Sequence, residues 1–511
     1  MLTIGNAKIK ASELLPTFYE KQNYSPAWVG NKGITPQADV LIRIIREADK
    51  EGLRPGDYHI DQIEETVAEI NQNQSDGKTS DPRVLATLDL LLTNAFLFYS
   101  SHLLNGRINP EAVDSAWVIG HRKKDIIDVL STALIFNRVE ETLKELAPQH
   151  PGYAKLREAL TEYRKIAKNG GWPLVQNGIK IEKGLRNQRV ELLRKRLSIT
   201  GDLKDKASKD PVLFDDSMEQ GVRNFQKRHG LKADGVAGQS TLAALNVPVE
   251  KRIRQIELNM ERLRWLPQSL GSRYILVNVA SYELYVVEKE ETVMNMRVIV
   301  GKPYWDTPVF SANMTYLVLN PHWNIPQTIF IEETLPKILK NPDYLSKDRI
   351  KVLRSWSNKA AEIDPKTIDW SKVTEQNFKY RLRQEPGPGN PLGKVKFLFP
   401  NPHNVYLHDT SNKSLFNKAQ RNFSHGCIRI EKPIDLAEYV LRSDSEWTPE
   451  KIRTTLKKRS TTNILLPEPI PVYLLYFTAW VDGEGLIEFR NDIYGRDDTL
   501  YQALGDELET I

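Results

Sequence analysis

At 511 residues the chain is too long for one hydrophobic core, and three or four domains are expected. Charged residues make up 27% and hydrophobic ones 40%, the balance of a folded globular protein rather than a disordered or fibrous one. A net charge of +5 without a clustered basic stripe argues against nucleic acid as a partner.

Residues 1–186 read as a helical domain. Residues 71–80 are polar enough to predict a mobile loop. Asp81-Pro82 then caps a helix whose apolar positions, from Val84 and Leu85 to Phe96 and Tyr99, recur at helical spacing until Asn105-Gly106. Its apolar run is broken by Asp89, Thr93, Asn94, Ser100, Ser101 and His102, so no transmembrane segment is expected. The aromatics Phe18, Tyr19, Tyr24 and Trp28 are expected in the core rather than as a sugar platform.

Residues 187–250 predict three short helices. The loop between the last two contains Asp234-Gly235, and a single carboxylate there is too little for a hard cation. Neither a metal nor a cofactor is expected. Residues 251–270 predict a connecting helix through Ile253, Ile256, Met260 and Leu263, ending at Pro267.

From residue 271 the period becomes strand-like and remains so in several runs to residue 500, with a hairpin turning at Asp482-Gly483-Glu484-Gly485. The fold class is α+β and multidomain: helical scaffold, three-helix module, and a mostly antiparallel β-sandwich. Residues 328–383 interrupt the strands. An insertion of that length reads as a lid, divided by Pro336, Pro342 and Pro365 into pieces free to move separately.

The chemistry concentrates in Phe423-Ser424-His425-Gly426-Cys427-Ile428-Arg429. Cys427 is the only cysteine, so it forms no internal disulfide. The alternatives are a small core hydrophobe or a nucleophile activated by a nearby histidine. His408, at the end of the strand-like Val405-Tyr406-Leu407, and His425 both qualify as the base, and spacing does not separate them. A zinc site from Cys427, His403, His408 and His425 lacks the usual ligand doublets.

His408, followed after 15 residues by Ser424-His425-Gly426-Cys427 and then Arg429, resembles the YkuD-type L,D-transpeptidase signature of bacterial cell-wall enzymes. Pro386-Gly387-Pro388-Gly389 and Asn320-Pro321-His322-Trp323 are similar to its recurring blocks, and length and domain order resemble the large YcbB-like branch. Phe225-Gln226, Gly230-Leu231 and Asp234-Gly235 resemble the peptidoglycan-binding domain-1 repeat. The resemblance implies Cys427 as nucleophile, His408 as base and the Asp409 carbonyl orienting the imidazole. It also implies a backbone oxyanion site near Gly426 and substrate contacts from Arg429, His425, Ser424, Tyr406 and Trp323. Implied partners are peptidoglycan stem peptides and glycan strands, with carbapenem-type β-lactams as covalent inhibitors. The implied reaction is 3→3 crosslinking with release of D-alanine; carboxypeptidase action and lipoprotein anchoring are the alternatives, and a non-catalytic wall-binding protein is a further one. Met1-Leu2-Thr3-Ile4-Gly5 lacks the start of a signal peptide. The resemblance nevertheless implies a periplasmic or cell-envelope location, with the signal segment absent from this sequence.

Overall fold

The computed structural model describes residues 3–4, 7–11, 13–30, 33–114, 117, 119–120, 122–204, 210–357 and 359–510. Two compact units result: Met1–Leu270 with Phe477–Ile511, and Gly271–Tyr476.

The first unit is helical. Asp81 accepts a hydrogen bond from the Arg83 N–H at 2.8 Å, and Pro82 opens the helix Pro82–Asn105. This helix is long and apolar enough to cross a membrane by composition. Here Leu88, Leu92, Ala95 and Phe96 are buried in the unit's core beside Phe18, Tyr19 and Trp28. Its buried Asp89 accepts from the Ala27 and Trp28 N–H groups and the Tyr19 hydroxyl, so the charge is fully solvated by protein donors. Tyr24, expected in the core, is 71% exposed. The loop expected over 71–80 is also corrected, because the helix Ile60–Ser75 runs through its first half. There the Gln72 amide donates to Asp76 at 2.9 Å and the Ser75 hydroxyl to the Asn71 carbonyl at 3.0 Å, so the polar residues satisfy one another on an exposed helix end.

Helices Gln188–Ile199, Asp216–Arg228 and Gln239–Leu245 enclose a small core of their own that includes Val190, Leu193, Phe225 and Leu242. The helix Val249–Arg264, in the stretch expected as a connecting helix, belongs to this unit. Its buried Asn259 donates to Thr478 and its buried Arg262 to Asp497. Those partners lie in Phe477–Ile511, which carries the hairpin Ala479–Val481 with Ile487–Phe489 and the helix Arg496–Thr510. The β unit therefore closes at Tyr476, short of the expected residue 500.

That unit is built on β1 (Arg273–Asn278), β2 (Glu283–Glu288), β3 (Glu291–Gly301), β4 (Phe310–Leu319), β5 (Val395–Leu398), β6 (Leu407–His408), β7 (Asn422–Ser424), β8 (Ile428–Ile430) and β9 (Thr462–Leu475). Their order is β7-β3-β8-β6-β5-β4-β9-β1-β2, and β2 also pairs with β3, so the sheet folds back on itself around its core. Pairs are antiparallel except β6–β8, β7–β3 and β9–β1.

The insertion is one packed body, not separate pieces. Trp323–Asn324, Ile350–Leu353, Glu362–Ile363 and Arg381–Gln384 form a second sheet, wider than the expected 328–383. Ile325, Phe330, Leu335, Ile338, Val352 and Leu382 are buried together beneath it. Its apolar residues find enough partners inside the insertion to make a core, which composition alone did not reveal.

Candidate active site

Strand alternation decides what this site contains. Parallel β6 and β8 pair Leu407 with Ile428 and His408 with Arg429. Leu407 and Ile428 are fully buried towards the core. Neighbouring residues point the other way, so Tyr406, His408, Cys427 and Arg429 share the opposite face. Antiparallel β5 adds Lys396, directly opposite His408.

The loop carrying Cys427 is pinned from below. The buried Thr307 hydroxyl accepts from the Gly301 N–H at 3.0 Å and donates to the Gly426 carbonyl at 2.8 Å. Gly426 has φ of 101°, a conformation side-chain-bearing residues rarely adopt. The Ser424 hydroxyl donates to the Cys427 carbonyl. Ser424 and Gly426 thus shape the turn.

The half-buried Cys427 thiol donates to the Asn404 carbonyl over 3.8 Å. Burial pushes its pKa up. The polar groups of the neighbouring Tyr406, then the charges of Lys396 and Arg429, act in the opposite direction. The Tyr406 ring lies 5.6 Å from that of His408, centroid to centroid.

His408 is buried, and its Nδ1 lies 2.5 Å from the Asp409 carbonyl oxygen. Burial, then the neighbouring Arg429, pull its pKa down to about 3, against the hydrogen bonds to the Asp409 and Pro391 carbonyls. The ring is therefore neutral at ordinary pH. His408 and Cys427 share a face, with no hydrogen bond between them among the described residues. Asp409 fixes the local backbone: its carboxylate accepts from the Lys394 N–H at 2.8 Å, from the Thr410 N–H at 2.7 Å and from the Lys413 ammonium.

His425 faces elsewhere. Its ring lies 4.2 Å from that of Trp305, and its Nε2 is 3.0 Å from Glu333 on a π-helical turn of the insertion, Phe330–Thr334. Burial lowers its pKa and Glu333 opposes the shift. Arg429 has no ion pair or side-chain hydrogen bond among the described residues, and its Nε is buried without a partner. Trp323, expected near the site, pairs with Gln384 and packs on the core of the insertion.

Sequence reasoning missed Lys396, Thr307 and Glu333. Lys396 did leave a signal, as the one polar residue between Val395 and Phe397 in a strand. Glu333 left none. Among the described residues no group of three or more His, Cys, Asp or Glu could hold a metal ion.

Parts of the chain match known families and proteins. Residues 272–457 match the family described as the L,D-transpeptidase catalytic domain (YkuD). Residues 186–245 match the one described as "Putative peptidoglycan binding domain", and 13–160 a scaffold domain. The chain carries a YkuD-type L,D-transpeptidase catalytic domain together with a peptidoglycan-binding domain-1 module. A Haemophilus influenzae protein named "Putative L,D-transpeptidase" is 35% identical over 244 residues, which is 48% of this chain and 48% of that protein. The chain thus matches about half the length of this curated relative. Solved structures that match include an L,D-transpeptidase from Mycobacterium smegmatis, at 13% identity over 40% of this chain and 58% of that one, with a TM-score of 0.19. Another is an L,D-transpeptidase from Xylanimonas cellulosilytica, at 14% identity over 59% of this chain and 99% of that one, with a TM-score of 0.18.

Proposed function

We propose that this chain is a peptidoglycan L,D-transpeptidase that works through a cysteinyl thioester and forms 3→3 crosslinks. The observation that carries the reading is the shared sheet face, on which a half-buried thiol lies two residues from an unpaired guanidinium. The donor is a tetrapeptide stem. Its carboxylate is held by the Arg429 fork, whose guanidinium has no ion pair among the described residues and whose Nε is buried without a partner.

Cys427 gives its proton to His408 and its sulfur attacks the carbonyl between the diamino acid and the terminal D-alanine. The oxyanion is stabilised by backbone N–H groups of the turn at Gly426, where the absence of a side chain permits close approach. His408 returns the proton to the leaving amine, the C–N bond breaks and D-alanine departs. A side-chain amine of a neighbouring stem then attacks the thioester, the C–S bond breaks and the thiol is restored.

The hydrogen bond between His408 and Cys427 forms when substrate binds, as catalytic hydrogen bonds commonly tighten on binding. A developing thiolate also raises the proton affinity of a histidine otherwise held near pKa 3. Water as acceptor gives carboxypeptidase action by the same steps. Carbapenems acylate Cys427 as mimics of the donor, the three-helix module docks glycan strands, and the protein works in the cell envelope, facing the periplasm.

The test is mass spectrometry of muropeptides incubated with the protein. Wild type should yield crosslinked dimer with loss of alanine, and Cys427→Ser should yield none while remaining folded. Dimer formation by a folded Cys427→Ser protein would sink the reading.

A further inference from the structure

Lys396 stands where a lysine costs the most. It lies in β5, between β6 and β4, opposite both His408 and Val318. Val395 and Phe397 on either side are fully buried, so its side chain rises from the middle of the sheet onto the face that carries Cys427. Half-burial of an ammonium calls for a compensating anion. Among the described residues, none of the ion pairs or side-chain hydrogen bonds includes its Nζ.

Two contacts remain. The Nζ sits 3.8 Å from the centroid of the Tyr406 ring, a cation–π geometry that holds the ring in place. That same Tyr406 lies beside Cys427 across the β6–β8 pairing, where its carbonyl accepts from the Ile428 N–H at 3.1 Å, and its polar groups favour the thiolate over the thiol. The one group of opposite sign that couples to Lys396 is the Cys427 thiolate.

We propose that Lys396 is a positioning residue for Cys427: its ammonium seats the Tyr406 ring on the face beside the sulfur, and its charge stabilises the thiolate across that ring. This rests on the reading of Cys427 as nucleophile given above. Lys396 takes no proton. The thiol proton leaves for His408 or solvent, and the lysine stays an ammonium throughout. The absence of an acidic partner then has a reason, since a carboxylate here would cancel the field at the sulfur.

The other charged or titratable groups facing the thiol are Arg429 from β8, which also lowers the thiol pKa, and the neutral His408 from β6. Glu333 of the insertion lies near Arg429 and His425, and Lys302, after β3, near His425.

A single cysteine makes the test clean. The rate of Cys427 alkylation by iodoacetamide is followed against pH in wild type, Lys396→Met and Lys396→Arg. Lys396→Met should move the thiolate titration up by about one pH unit, which slows alkylation at neutral pH about tenfold. Lys396→Arg, keeping charge and stacking, should stay within about threefold of wild type. If Lys396→Met fails to fold, Lys396→Gln is read in the same way. A neutral variant that is folded and superimposes on the wild-type profile overturns the proposal. Turnover that survives in Cys427→Ser instead overturns the nucleophile reading, and the two failures are distinct.

Discussion

Replacing Asp409 by alanine separates the job of its side chain from that of its carbonyl. The carboxylate is buried and accepts two backbone N–H groups, from Lys394 at 2.8 Å and from Thr410 at 2.7 Å. Alanine strands both donors. A buried donor left without a partner costs about 1–3 kcal/mol, so the pair costs about 2–6 kcal/mol. The Lys413 ion pair adds little, since that lysine side chain is 49% exposed. A central loss of about 4 kcal/mol corresponds to about a thousandfold in an opening equilibrium. Hydrogen exchange read by mass spectrometry on peptides covering β5 and β6 measures this locally, without interference from the helical unit. Asp409→Ala should speed exchange there by two to four decades. Asp409→Asn, which keeps one acceptor oxygen, should fall between. An Asp409→Ala protein whose β5 and β6 peptides exchange within about threefold of wild type would refute the reasoning.

His408→Ala should suppress crosslinking more deeply than His425→Ala, because only His408 lies on the thiol's face; a reversed ranking of rates would reassign the base. His408 also carries a pH signature. Its pKa falls from 6.5 to about 3 on folding, so its contribution is complete above pH 6.5 and lost as pH drops towards 3. Urea midpoints measured across that window should fall less steeply in His408→Gln than in wild type, the full term being about 4–5 kcal/mol; parallel curves contradict the burial argument. Arg429→Lys should slow acylation by the natural stem at least tenfold while barely changing iodoacetamide alkylation, and equal slowing of both would mean that Arg429 only braces the loop. Glu333→Gln, which removes the charge facing His425 at 3.0 Å, should lower the ratio of crosslinked dimer to hydrolysed tripeptide with little loss of stability; an unchanged ratio argues against the insertion as a water-excluding lid.

What the sequence disclosed depended on whether the signal was local. The helix Pro82–Asn105 and the strands around Tyr274 and Leu284 were legible because period and caps are written in neighbouring residues. The end of Ile60–Ser75 was not, because its polar side chains bond to each other and to the helix backbone while composition imitates a loop. The motif around Cys427 announced itself. Yet the arrangement of its face depends on parallel pairing of Leu407 with Ile428, 21 positions apart, and no local pattern sets that register. For the same reason Lys396 was invisible as a neighbour of the thiol, and Glu333 as a neighbour of His425. The β unit's end at Tyr476 was hidden because the Asn259–Thr478 hydrogen bond spans 219 positions.

The return of Phe477–Ile511 to the helical unit bears on how the chain is made. A ribosome releases the first 270 residues long before the segment carrying Thr478 and Asp497. Until then Asn259 and Arg262 lack the partners that satisfy them when buried. The β unit, contiguous from Gly271 to Tyr476, has all its strands available first and can fold as nascent chain. Maturation of the helical unit thus waits on its last segment, and a chain cut back to Tyr476 should fold its β unit while leaving the helical unit unfinished.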